Sequence, residues 1–372
     1  MNAKERMLTA LSLGKPDRLP ATVHQWRPYH LATQMGGVDA LEAFRLCGLD
    51  AQIPYQWDPG SVIPELGVPL LCTPQWQDTY TVISAEPDNR LVDHTVVTPE
   101  GTLAYKIGGN RMANFVLEPM VKGVREVELI EKYMPTPRWN KAAVQKEYDR
   151  VGDSGILRAS LWGDEPGCWQ HACCLMGEQT LLFRAIDDPT FVHYFLKVLL
   201  DKKLRFIEES LAGARFDLVE TGGGSGSDTF ISPSMHREFC LPYDQKLHAE
   251  LHAAGQRVTC HLCGGMMFLL DSILQNGCDV AETLAPPGVG GNVREPEAIR
   301  AAFGGKIAML GGMDQFTILG IGTPAQIAAE TRRLFEGFGR DGGYICGASD
   351  HFFEAPVENL KAFAQAAAAC RY

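Results

Sequence analysis

Residues 256–284 read QRVTCHLCGGMMFLLDSILQNGCDVAETL: an apolar run, a Gly-Gly break, an amphipathic stretch and a second apolar run. Residues 256–263 read as a short buried strand, 266–276 as a helix and 279–284 as the next strand. Strands joined by a single helix lie parallel. The unit recurs on both sides, with strands expected at 216–220, 306–310 and 343–346. Helices are expected at 233–254, 296–303, 324–338 and 357–369, several opened by Ser or Thr next to Pro. Earlier strands are expected at 18–23, 51–54 and 156–162. So regular an alternation predicts an α/β fold, a (β/α)8 TIM barrel, rather than an open doubly wound sheet. It accounts for residues 1–372 as one domain. Between about 60 and 130 the pattern changes to alternating segments at 79–83, 91–97 and 102–107, with a turn at Pro99-Glu100-Gly101. These predict a small inserted β region, a lid over the barrel.

In such a barrel the reactive groups stand at the carboxyl ends of the strands. There the strand at 256–263 carries His261 and Cys263, two residues apart and therefore on one face. An imidazole nitrogen and a thiolate are zinc's usual ligands, and an open fourth position would make the site catalytic. Cys346, at the end of the last strand, is a third soft donor. Glu220 and Glu282 end two further strands, and Gly311-Gly312-Met313-Asp314-Gln315 and Cys346-Gly347-Ala348-Ser349-Asp350 follow two more. The plain alternative is that Cys263 packs as a small apolar residue and His261 closes a strand end. Trp162, Asp164 and Asp314 are candidates for the substrate pocket, as are Glu165, Trp26, Tyr55 and Trp57. His351 is a candidate for proton transfer. The run Thr221-Gly222-Gly223-Gly224-Ser225-Gly226 would suit a phosphate cradle only if a helix followed at once. The next helix starts near Ser232-Pro233, which favours a rim loop.

Composition narrows the class. Hydrophobic residues make up 45% of the 372, enough for a large core, and no apolar run is long enough to span a bilayer. The net charge of −11, without a basic cluster, argues against nucleic acid or a membrane surface as partner. Eleven cysteines, an odd number and scattered, read as reduced thiols and metal ligands. The charged start Met1-Asn2-Ala3-Lys4-Glu5-Arg6 lacks the pattern of a secretion signal, so a cytoplasmic protein is expected.

Arg6-Met7-Leu8-Thr9-Ala10-Leu11, Lys15-Pro16-Asp17-Arg18-Leu19-Pro20, Ile231-Ser232-Pro233, Leu241-Pro242-Tyr243, Gly311-Gly312-Met313-Asp314, Gly342-Gly343-Tyr344 and Pro356-Val357-Glu358-Asn359 carry a resemblance. With these segments the chain resembles the uroporphyrinogen decarboxylase superfamily, and within it the zinc methyltransferases that work with corrinoid proteins. The resemblance implies a (β/α)8 barrel and zinc held by an H-x-C pair with a distant second cysteine, matched by His261, Cys263 and Cys346. It also implies an acidic fourth ligand, for which Glu220 is the candidate. The activity implied is transfer of a methyl group between a corrinoid protein and a small-molecule methyl donor or acceptor, such as a thiol, ether, amine or halide. The chain lacks the D-x-H-x-x-G pattern of corrinoid modules, so the corrinoid would arrive on a separate protein, with Trp26 and Trp57 as docking anchors. A decarboxylase-like lyase is the first alternative, but its arginine-rich amino-terminal segment corresponds to His24-Gln25-Trp26-Arg27-Pro28-Tyr29-His30, with one arginine. A non-catalytic binding protein stapled by zinc is the second.

Overall fold

The computed structural model describes residues 1–55, 70–162, 166–351 and 354–372, and the backbone of 62–63 and 68–69. In chain order its strands are β1 (Ala21–Thr22), β2 (Ala51–Pro54), β3 (Val62–Ile63), β4 (Val68–Pro69), β5 (Gln77–Glu86), β6 (Asn89–Thr98), β7 (Gly101–Gly109), β8 (Asn114–Glu118), β9 (Gly155–Ser160), β10 (Leu218–Gly222), β11 (Val258–His261), β12 (Val280–Thr283), β13 (Ala308–Met313) and β14 (Tyr344–Ala348). Eight of them form one parallel sheet in the order β1-β14-β13-β12-β11-β10-β9-β2, with helices between successive strands. The sheet curls into a nearly closed (β/α)8 barrel. The seam between β1 and β2 is closed by Asp50, whose N–H donates to the Ala21 carbonyl (2.8 Å) and whose carboxylate accepts from the Ala21 N–H (3.0 Å). Gln52 adds amide bonds to the carbonyls of Val23 and His24, both 2.8 Å.

The barrel interior is layered because strand side chains alternate. At the amino end Ile156, Leu218, Val280, Ala308, Leu310 and Ile345 pack against Met7, Ala10 and Leu11 of α1 (Ala3–Leu11). That helix is started by a capping box in which Asn2 and Glu5 exchange side-chain bonds, and it plugs the barrel floor. One period further along three of these strands the inward residues are Arg158, Glu220 and Glu282. The apolar plug thus gives way to a charged layer that faces the carboxyl-end rim.

Helices 296–303 and 357–369 form over the residues expected. Three others differ: 324–338 is α-helical to Leu334 and ends in a wide turn at Phe335–Gly339, and two depart further, for local reasons. The stretch 233–254 is interrupted by a wide turn at His236–Cys240, because Pro242 has no N–H to continue the ladder. In 266–276 only Leu270–Gln275 is helical. The backbone N–H groups of Met266 and Met267 are taken by the Asn292 side chain and that of Phe268 by Asp228.

The segment after β2 builds a four-stranded antiparallel sheet, β5-β6-β7-β8. Its buried Val96 and Leu103 belong to the main core. The turn at Pro99-Glu100-Gly101 is in place, held by Thr98 Oγ1 donating to the Gly101 carbonyl (2.7 Å). β8 has exposed Phe115, Val116 and Leu117 and gave no alternating signal in the sequence. Arg27, just beyond β1, donates to the Met112 carbonyl between β7 and β8 (3.2 Å) and ties this sheet to the barrel rim. Among the described residues no helix is long and apolar enough to cross a membrane.

Candidate metal centre

Arg158 is fully buried and is the pivot of the charged layer. It donates twice to Glu282 (2.8 and 2.7 Å), once to Glu220 (2.6 Å) and once to Gln52 Oε1 (3.1 Å). Glu282 also accepts from Thr259 Oγ1 (3.2 Å) and meets His24 Nδ1 at 3.0 Å. Burial opposes the charge on Glu282, but Arg158, His24 and His261 hold its pKa well below the usual carboxylate range. His261 Nδ1 lies 3.9 Å from Glu220 and 3.9 Å from Glu282, too far for a hydrogen bond. Burial likewise works against an imidazolium at His261, yet Cys263 and the two glutamates raise its pKa well above the ordinary value.

Three groups of metal-capable atoms overlap here, each with its atoms within 4.8 Å of one another: His24, Glu220, His261 and Glu282; His261, Cys263 and Asp350; and His24, Asp350 and His351. In the first, the Arg158 guanidinium already supplies the cation to both carboxylates. The second joins an imidazole, a thiolate and a carboxylate, the donors zinc takes. A tetrahedral ion would draw its ligand atoms to about 3.3–3.8 Å from one another. The buried Nδ1 of His261 has no hydrogen-bond partner, an open nitrogen of the kind that a metal ion or a proton would take up.

Cys346 does not join this group. Ile345 points into the barrel plug, so its neighbours Tyr344 and Cys346 point outward by strand alternation. There Cys346 is buried among residues of the outer core, beside Tyr344 and near Cys370. Burial pushes its thiol up to about 12, the state of a packing cysteine. The last strand instead serves the centre with Asp350 and His351, past its end. Glu220 is present, though one oxygen is bound to Arg158. His351 lies in the cluster, stacked on His24 with ring centroids 5.0 Å apart.

Of the expected pocket residues, Trp162 is buried against His171 (5.5 Å between centroids) and holds φ +65°. Thr283 and Leu284, also with positive φ, end β12, so non-glycine backbone strain gathers on this rim. Asp314 caps its own turn, accepting from the N–H groups of Phe316 and Thr317 (2.9 and 2.7 Å) and from Thr317 Oγ1 (2.5 Å). Trp26 and Tyr55 are packed in the core, against Phe44 and Trp139 respectively. Asp164, Glu165 and Trp57 lie outside the described residues. A cavity of roughly 1130 Å³ beside the barrel wall, lined by Ile53, Tyr55 and Trp139, includes none of the clustered donors.

The glycine-rich loop after β10 has a packing role. Gly222 has φ +85°, and a Cβ there would stand 2.4 Å from the His261 carbonyl oxygen. A Cβ on Gly224 would stand 2.7 Å from Cys263 Sγ. The loop admits the H-x-C segment because it carries no side chains at these points. Arg158 and His24 had no assigned role in the sequence, though a lone arginine inside the apolar run 156–162 signals buried carboxylates opposite.

Comparison with known proteins agrees with this architecture. The family model for uroporphyrinogen decarboxylase (URO-D) matches residues 115–370. A methylated-thiol–coenzyme M methyltransferase of Methanosarcina mazei is 28% identical over 180 residues, 48% of this chain and 45% of that protein. A uroporphyrinogen decarboxylase of Xanthomonas axonopodis pv. citri is 28% identical over 167 residues, 43% of this chain and 42% of that one. The matched segments thus span less than half of these curated relatives. A solved methyltransferase structure from Methanosarcina mazei superposes with a TM-score of 0.64 at 14% identity, covering 98% of each chain, a likeness of fold.

Proposed function

The chain belongs to the uroporphyrinogen decarboxylase (URO-D) family, and from that premise we propose that it is a zinc-dependent methyltransferase. It would move a methyl group between a corrinoid carried on a separate protein and a small thiol, ether, amine or halide. The observation that carries this reading is the group His261, Cys263 and Asp350 at the carboxyl end of the barrel. The methyltransferase relative from Methanosarcina mazei supports it. Zinc held by His261, Cys263 and Asp350 would supply Lewis acidity, keeping a bound thiol ionised at neutral pH. Glu282 and Glu220 stand 3.9 Å from His261 Nδ1 as charged neighbours, and Arg158 fixes both carboxylates. Glu220 is then a support of the ligand rather than a permanent ligand itself. The packed barrel wall leaves the rim as the approach for substrate and corrinoid protein, with the β5–β8 sheet at its edge.

The decarboxylase relatives fit the site less well. Removing carboxyl groups from a polyanionic tetrapyrrole calls for cationic groups free to receive them, and Arg158 is committed to Glu220 and Glu282.

Metal analysis joined to a cobalt absorption assay tests the reading. The purified protein should carry zinc, and Cys263→Ala should lose it while keeping its fold. Mixed with a methylated or cobalt(I) corrinoid protein and a panel of thiols and methyl compounds, the wild type should change the cobalt bands and Cys263→Ala should not. Porphyrinogen decarboxylation by the metal-free protein would reverse the assignment.

A further inference from the structure

His24, Asp350 and His351 place one ligand atom each within 4.8 Å of the others. They come from the two neighbouring strand ends of β1 and β14, which are paired in the sheet. Each histidine has one nitrogen engaged and one remaining. His24 Nδ1 faces Glu282 at 3.0 Å, so Nε2 is the nitrogen left for another partner. His351 Nε2 faces the Gln25 side-chain amide at 3.1 Å. His351 Nδ1, 3.2 Å from the Asp350 carboxylate, is a buried atom without a hydrogen bond. One ring nitrogen oriented by a carboxylate or amide, with the other left open, is how ligating histidines are normally supported.

From this arrangement we infer that His24, Asp350 and His351 form a second metal position, beside that of His261 and Cys263, with the Asp350 carboxylate shared between the two. Two imidazoles and a carboxylate suit a divalent first-row ion such as zinc, iron(II) or manganese(II), and three protein ligands leave room for an oxygen or nitrogen atom of a substrate. The two positions are close, since the His24 and His261 ring centroids are 4.9 Å apart. Arg158 faces Glu220 and Glu282 together, so the floor beneath His24 and His261 keeps one excess carboxylate, which offsets part of the positive charge two ions would bring. Ligation through His351 Nδ1 places the proton on Nε2, and the Gln25 amide then turns over to accept it with its oxygen. The inference draws on the proposed function only through the shared Asp350.

Cobalt(II) titration of the metal-free protein separates the two positions, because a thiolate ligand gives an intense sulfur-to-cobalt charge-transfer band and an oxygen–nitrogen site gives none. Two equivalents should bind per chain, one with the band and one without. His351→Ala and His24→Ala should each weaken the band-free equivalent by about tenfold or more and retain the other. Cys263→Ala should do the reverse, and Asp350→Asn should weaken both. Because the wild-type titration needs no substitution, a variant that fails to fold leaves the result intact. A single equivalent that shows the thiolate band and is unchanged in His351→Ala would overturn the second position and leave the His261–Cys263 reading standing. A single band-free equivalent lost in His351→Ala would support the second position and overturn that reading.

Discussion

Two buried arginine networks sit at opposite ends of the barrel, and they differ in balance. At the amino end Arg6 bonds Asp50 (2.7 Å) and Asp17 (2.8 Å), and Arg18 bonds Asp50 (3.0 Å). Two guanidinium groups and the Met1 ammonium, 3.3 Å from Asp17, cover two carboxylates in full, and the pair Asp50–Ala21 closes the seam. At the carboxyl end one guanidinium, Arg158, meets two carboxylates, Glu220 and Glu282. A deficit of positive charge enclosed by the barrel wall attracts a proton onto His261 or a metal ion in its place. The balanced network is a clasp; the unbalanced one is a site. Asp244 extends the series to an acid without a guanidinium: burial alone pushes its pKa up to about 7.

The largest effect should follow from removing the short side of the unbalanced network. Arg158→Met takes the shared guanidinium from Glu220 and Glu282 and should destabilise the metal-free protein by about 3–5 kcal/mol in urea unfolding. Added zinc should recover part of that loss; equal loss with and without metal would detach this layer from metal binding.

Asp244 supplies the pH test. Its folded pKa is raised, so between about pH 4 and pH 7 the folded state holds a proton that the unfolded state has released, and stability falls as pH rises across that window. Asp244→Asn should therefore stabilise the protein by about 2–4 kcal/mol at pH 8 and change little at pH 4. A uniform effect at both pH values would mean that the amide alters packing instead.

The smallest effect belongs to the clasp. Arg6 first, by hydrogen bonding, holds the Asp17 carboxyl below its usual range against a small burial effect. The stability from a lowered pKa is present at neutral pH and lost as pH falls below about 4. Asp17 is about one-third exposed (34%), so solvent screens the pair. Asp17→Asn should cost about 1 kcal/mol or less at pH 7, and the cost should shrink as pH falls from 4 towards 2. Cys346→Ala should leave metal content unchanged, since its thiol lies outside the barrel.

Legibility in the sequence followed locality. His261 and Cys263 are two residues apart on one strand, so their common face needs only the period of a strand. Cys346 was misplaced because Tyr344-Ile345-Cys346-Gly347-Ala348 is apolar throughout, and an unbroken run does not tell which of its faces looks inward. Its neighbour Ile345 decides the matter, through contact with the helix α1 far away in the chain. The β12 glutamate was read as a strand-end acid but not as the partner of Arg158, because that pairing spans 124 residues. The barrel itself was clear from repeated strand–helix units. The interrupted helix at 266–276 was not, since Asn292 and Asp228 take its N–H groups from other loops.

The close approach of Gly224 to Cys263 bears on how this scaffold can diversify. Cys263 sits where a neighbouring backbone tolerates no added carbon, so a side chain at 224 should be penalised through the sulfur it displaces. His24, Asp350 and His351 project from segments beyond the ends of β1 and β14, with no such constraint from that loop. The His261–Cys263 side is thus tied to that loop, whereas Asp350 and His351 are not, which makes 350 and 351 the positions at which to vary the donor set.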